Sequence, residues 1–92
     1  MMQAIYDMIQ AFRLKKGWDQ SDDPNVLAKS ISVEAAELLE CFLEDEYKLE
    51  DVKGELADVL MVALTLAMDL NLDVKQLIET KLLEVDRKYA DK

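Results

Sequence analysis

Histidine is absent from this 92-residue chain, cysteine and proline occur once each, and glycine twice. Each shortage removes a class of explanation. Without histidine there is no imidazole to activate a nucleophile, and no Glu-x-x-His unit of the kind that builds di-iron helical bundles. The single Cys41 cannot close an intramolecular disulfide; it fits a reducing cytoplasm and reads as a small core residue. No stretch reaches the ~20 apolar residues that a membrane span requires, and no basic-then-apolar leader opens the sequence. Neither a membrane partner nor a signal peptide is therefore expected. Basic residues are also scarce, 11 against 20 acidic, and the net charge of −9 repels nucleic acid polymers and anionic membrane surfaces. A small anionic substrate stays open, provided a divalent cation stands between it and the protein.

What remains is apolar residues at helical spacing, 51% of the chain. No run alternates with period two, so the expected fold is all-α, a single domain over residues 1–92. A first helix over residues 2–15 carries Ile5, Met8, Ile9 and Phe12 on one stripe, and Gly17 ends it. Residues 17–22, GWDQSD, read as a polar loop. Asp23-Pro24 is a start signal, a capping carboxylate followed by a proline suited to the first helical position. The second helix should run from there to about Asp45, with Leu27, Ile31, Ala35, Leu38, Leu39 and Phe42 as its core stripe.

After a charged turn over residues 44–48, a third helix is expected from Leu49 to Leu70. Its middle, VLMVALTLAM, leaves no polar face, which implies cover by a second subunit. Asn71 is a left-handed stop, and Asp73 with Gln76 opens a fourth helix to about Tyr89. Short connections favour an antiparallel bundle of about four helices, oligomeric through the apolar third.

The acids are placed unusually within this pattern. Glu34 and Glu37 stand three apart, so they project from one helix face, and Glu55 and Asp58 repeat the spacing on the next helix. Both pairs border apolar surface and lie about equally far from the intervening turn, so an antiparallel hairpin sets them face to face. Four carboxylates in a half-dry site repel one another unless a cation neutralises them, and an all-oxygen set suits Mg²⁺ or Mn²⁺. The plain alternative is that Glu-rich helices show such spacings by chance, with the acids solvated. Both readings stand at this point. Glu40, Glu44, Glu46, Glu50 and Asp51 read as solvated surface. Gly54 either admits a close approach beside Glu55 or is simply tolerated.

The motifs EAAE (34–37) and ELAD (55–58), within LAKSISVEAAELLECF and ELADVLMVALTLAMDLNLDV, resemble the MazG-like family of all-α nucleoside triphosphate pyrophosphohydrolases. With Gly17-Trp18-Asp19-Gln20 upstream and Lys81 to Tyr89 downstream, the likeness spans nearly the whole chain. It implies hydrolysis of NTPs or dNTPs between the α and β phosphates, with Glu34, Glu37, Glu55 and Asp58 as ligands of Mg²⁺. By the same resemblance Glu37 handles the attacking water, and Lys29, Lys81 and Lys88 meet phosphate. Trp18 and Tyr89 would stack on a base or close the pocket. The implied setting is cytoplasmic nucleotide housecleaning, in a homo-dimer or homo-tetramer.

The sequence departs from the family pattern at several places. Val85 and Ala90 replace an Asn and a Pro common near its end. Asp22 and Glu44 stand near where many members carry a His and an aromatic residue. These departures touch the base contacts rather than the metal. The rival from another class is a non-catalytic helical module for protein interaction.

Overall fold

Local chemistry decides where each helix begins and ends. The computed structural model describes residues 2–90, which form helices and turns without a strand. Helix α1 covers Met2–Lys16, α2 Trp18–Ser21, α3 Pro24–Glu40, α4 Leu49–Asp69 and α5 Val74–Lys88. Gly17 stops α1 in the left-handed region, at φ 73°, where a residue with a Cβ would be strained. Asp23 caps α3 by accepting the Val26 N–H at 3.0 Å, with Pro24 at the first helical position. Asn71, at φ 57°, ends α4. The Leu72 N–H reaches the Ala67 carbonyl and the Asn71 N–H reaches that of Met68, a Schellman closure. Asp73 caps α5 through the Gln76 N–H at 3.2 Å.

Two expectations about boundaries are corrected. Residues 17–22 are not wholly loop, because Trp18–Ser21 winds one helical turn closed by the Asp22 N–H on the Trp18 carbonyl at 2.8 Å. The bundle thus has a fifth, short helix. Helix α3 stops at Glu40 rather than near Asp45. Its end tightens into bonds three residues long, from Cys41 to Leu38 and Phe42 to Leu39, and Phe42 meets Tyr47 with ring centroids 5.0 Å apart. Continuing the helix would have set Glu44, Asp45 and Glu46 at its negative end, which the helix dipole disfavours.

The main packing surface joins α3 to α4, and α1 lies against α2 and α4. Neighbours across the α3–α4 seam run from Leu27 beside Thr65 to Glu37 beside Glu55, so numbers rise on one helix as they fall on the other. The pair is antiparallel. Helix α5 packs on no other element to a comparable extent.

Only Ile9, Leu27 and Ala67 are buried apolar residues among those described. Of the expected α3 stripe, Ile31 and Leu38 are half-buried, while Ala35, Leu39 and Phe42 face outward, because α4 is the main element that packs on this helix. A Cβ built on Gly54 meets nothing within 4 Å, so no backbone approaches there within the chain.

The fold's most buried polar group is Arg13, on the same turn-to-turn line as Ile5 and Ile9. Its guanidinium binds both oxygens of Asp69 at 3.0 Å, Asp22 at 3.3 Å and Gln10 at 3.0 Å. Burial by itself lowers the Arg13 pKa, but Asp69 and then Asp22 outweigh it and hold the pKa above its ordinary value. This clamp ties α1 to the end of α4 and to the segment before α3. Arg13→Ala should cost roughly 2–3 kcal/mol in urea denaturation, somewhat less than a fully buried pair because both carboxylates keep partial solvent contact.

Candidate metal centre and adjoining pocket

The α3–α4 register brings three of the four expected acids together. One carboxylate oxygen from each of Glu34, Glu37 and Glu55 lies within 4.8 Å of the other two. All three are half-buried, and Oε2 of both Glu34 and Glu55 is buried with no hydrogen-bond partner. Such an oxygen is costly to leave unmatched. Asp58 is exposed and stands outside this trio, yet its charge acts on both Glu34 and Glu55.

Burial, followed by the hydrogen bonding and charge of Glu37 and then the charges of Asp58 and Glu55, pushes the Glu34 carboxyl above its ordinary 4.5. Glu55 is raised as well, first by burial and then by the charge of Glu37. The trio is therefore frustrated without a cation. Its donor set is all oxygen, which fits a hard divalent ion and offers nothing to a soft one. Cys41, one turn beyond, points its Sγ at the Glu37 carbonyl at 3.7 Å. Burial, then the charge of Glu55, pushes the thiol pKa up, away from a nucleophile.

One helical turn from the trio, toward α1, lies a cavity of about 170 Å³. Ile9, Phe12, Trp18, Leu27, Met61 and Val62 give it apolar walls, and Arg13, Asp22, Ser30 and Thr65 supply polar atoms. Trp18 meets Phe12 edge-on with centroids 5.5 Å apart, and its ring remains about half exposed at the mouth. On the other side of the trio an acidic groove runs toward the turn, lined by Glu40, Glu50 and Asp51 together with Glu37 and Glu55.

The remaining expected residues are more scattered. Lys29 is exposed on α3. Lys81 pairs with Glu84 at 3.0 Å, and Lys88 lies over the Tyr89 ring at 5.4 Å, all on or just after α5. The structure does not bring this group onto the trio within one chain, since α5 stands apart from α3. Sequence reasoning missed Arg13 and Asp69. The available signal was a charged residue at position 13, continuing the i, i+4 line of Ile5 and Ile9.

Two comparisons bear on this arrangement. The model of the MazG-like family matches residues 29–92, which contain all four acids. A solved pyrophosphatase from Archaeoglobus fulgidus is similar with a TM-score of 0.85 and 33% identity, over 96% of this chain and 91% of that one. No curated protein matches the chain.

The raised carboxyls give a signed pH dependence. With folded-state values above the ordinary 4.5, the folded chain binds more protons than the unfolded one, so metal-free stability falls as pH rises from there through the raised values. Thermal melts from about pH 5 to about pH 8 should show this fall, Mg²⁺ or Mn²⁺ should reverse it, and Glu34→Gln with Glu55→Gln should flatten it.

Proposed function

The chain belongs to the MazG-like family, and on that footing we propose that it is a nucleoside triphosphate pyrophosphohydrolase. It takes an NTP or dNTP and water and yields the monophosphate and pyrophosphate, by cleavage between the α and β phosphates. The observation that carries this reading is the Glu34–Glu37–Glu55 trio with its two buried, unpartnered oxygens. The resemblance of the whole chain to a solved pyrophosphatase supports it.

Mg²⁺, or Mn²⁺ in its place, would be held by the trio, with Asp58 joining from the next turn of α4. When bound, the ion neutralises phosphate charge and lowers the pKa of the attacking water. By the family resemblance Glu37, at the centre of the trio, would orient that water and accept its proton. Lys29 offers an exposed cation on the same helix as Glu34, for phosphate. Trp18, steadied by the Phe12 edge, stacks the base at the mouth of the 170 Å³ cavity. A housecleaning role in the nucleotide pool follows from the resemblance. Among the described residues no helix is long and apolar enough to cross a membrane.

The working form is a homo-dimer or homo-tetramer. The single chain exposes 7502 Å², whereas a compact monomer of this mass exposes about 5,400 Å². Its radius of gyration is 15.7 Å against an expected value of about 12 Å. The excess, about 2,000 Å², is of the size an obligate partner covers. The exposed apolar residues include Leu56, Leu60 and Met61 on α4 and Leu77, Ile78, Leu82 and Leu83 on α5. Assembly is also what would carry Lys81, Lys88 and Tyr89 to a phosphate or base.

Two measurements test these statements. Pyrophosphate release from a dNTP panel should require Mg²⁺ or Mn²⁺, and Glu37→Gln or Asp58→Asn should lower kcat at least about 100-fold. Absence of activity on every nucleotide, with no thermal shift by metal, would leave the interaction-module reading. In sedimentation at micromolar concentration the chain should run as a dimer or larger, and Leu60→Glu should shift it toward monomer with a lower Tm.

A further inference from the structure

The cavity beside Trp18 has an uneven polar inventory. Arg13 has five N–H donors, and four are consumed by Asp69, Asp22 and Gln10. Thr65 donates its hydroxyl to the Met61 carbonyl at 2.7 Å. Asp69 takes the two-point pairing with Arg13. Asp22 therefore holds the negative charge that one guanidinium shared between two carboxylates leaves over. Its Oδ2 accepts from Arg13 Nε, while among the described residues no donor is seen on its Oδ1. Asp22 lines the cavity, and its side chain is 22% exposed.

An acceptor-only, negatively charged group on a largely apolar wall, with the Arg13 edge and the Ser30 hydroxyl beside it, disfavours the phosphate end of a nucleotide. It invites a neutral ring with a hydrogen-bond donor on its edge. Resting on the reading of Trp18 as the base platform, we propose that Asp22, aimed by Arg13, is the specificity-determining residue for the base, selecting bases that carry an exocyclic amine. A carboxylate oxygen accepts well from the amine of cytosine or adenine. In uracil and thymine the ring N–H lies between two carbonyl oxygens, which the same carboxylate repels. A site whose polar group is left unpaired by the wrong partner discriminates strongly.

Matched pairs isolate that edge: dCTP against dUTP, and dATP against dITP. In Mg²⁺ the amine-bearing member of at least one pair should have a kcat/KM roughly 10- to 100-fold higher. The comparison between pairs separates cytosine from adenine. Asp22→Asn supplies the decisive variant. Arg13 Nε–H will hold the amide oxygen where Oδ2 sits, turning the new –NH₂ into the cavity, so the dCTP-to-dUTP preference should invert. A merely structural role would lower both rates together.

Binding gives an independent arm. Trp18 is the only tryptophan of the chain, so its fluorescence reports dCMP and dUMP binding without turnover. Tighter binding of dCMP or dAMP than of dUMP or dIMP supports Asp22 as the reader even if no triphosphate is hydrolysed, an outcome that would overturn only the pyrophosphohydrolase reading. Hydrolysis or binding with both ratios near one, or with dUTP or dUMP preferred by the unaltered chain, overturns the proposal whether or not Asp22→Asn folds.

Discussion

Three carboxylates are pressed together in the seam between α3 and α4, and the other features of the chain are arranged around that conflict. Their oxygens lie within 4.8 Å of one another, with Glu34 and Glu55 each burying an unpartnered Oε2. Nothing in their own electrostatics favours this. The seam is held by apolar packing on either side of the trio, Leu27 and Ile31 with Val59 and Val62 on one side and Leu38 with Val52 on the other. Hydrophobic burial is non-directional and tolerates a local charge conflict, whereas carboxylate repulsion relaxes once a divalent cation enters. The hairpin thus stores an affinity for cations in its own packing.

That arrangement places unusual demands on a small molecule. With only three buried apolar residues among those described, the single chain has little stability in reserve for a frustrated cluster. Two devices reduce the load. The Arg13–Asp69–Asp22 clamp closes α1 over one end of the hairpin with three charged hydrogen bonds from one guanidinium. The apolar faces of α4 and α5, surplus in the single chain, supply a second core wherever another copy covers them. The trio and the proposed assembly are linked in this way, because a site that weakens its own monomer benefits from a partner that strengthens it.

Much of this was legible in the residues. Helix-start signals at Asp23-Pro24 and Asp73, and stops at Gly17 and Asn71, are local backbone chemistry, and the structure follows them closely. The i, i+3 acids and their distance from the turn foretold which faces meet, since an antiparallel hairpin leaves little freedom of register. What escaped depends on contacts distant in sequence. The early end of α3 reflects acids that oppose the helix dipole and an aromatic contact between Phe42 and Tyr47. Propensity alone does not show either. The pairing of Arg13 with Asp69 spans 56 positions and has no local signature beyond a charge on a core stripe. The exposure of Ala35, Leu39 and Phe42 reflects which helices pack within one chain, and periodicity reports only that a face is apolar, never what covers it.

The charge map also bears on how a substrate enters. With a net charge of −9, the chain repels a triphosphate at long range, and the trio repels it at short range unless a cation intervenes. In the proposed reading the Trp18 cavity, where Asp22 is the lining carboxylate, would exclude the phosphate end and take the base. The two sites follow one another along the same seam, Ser30 at the cavity edge standing one helical turn before Glu34 of the trio. Orientation follows from sign alone: metal and phosphates on one side, ring and donor edge on the other. In that reading a nucleotide turned end for end would set its phosphates against Asp22 and leave a neutral base at the metal site, so an acidic protein of this design would bind an anionic substrate in one direction.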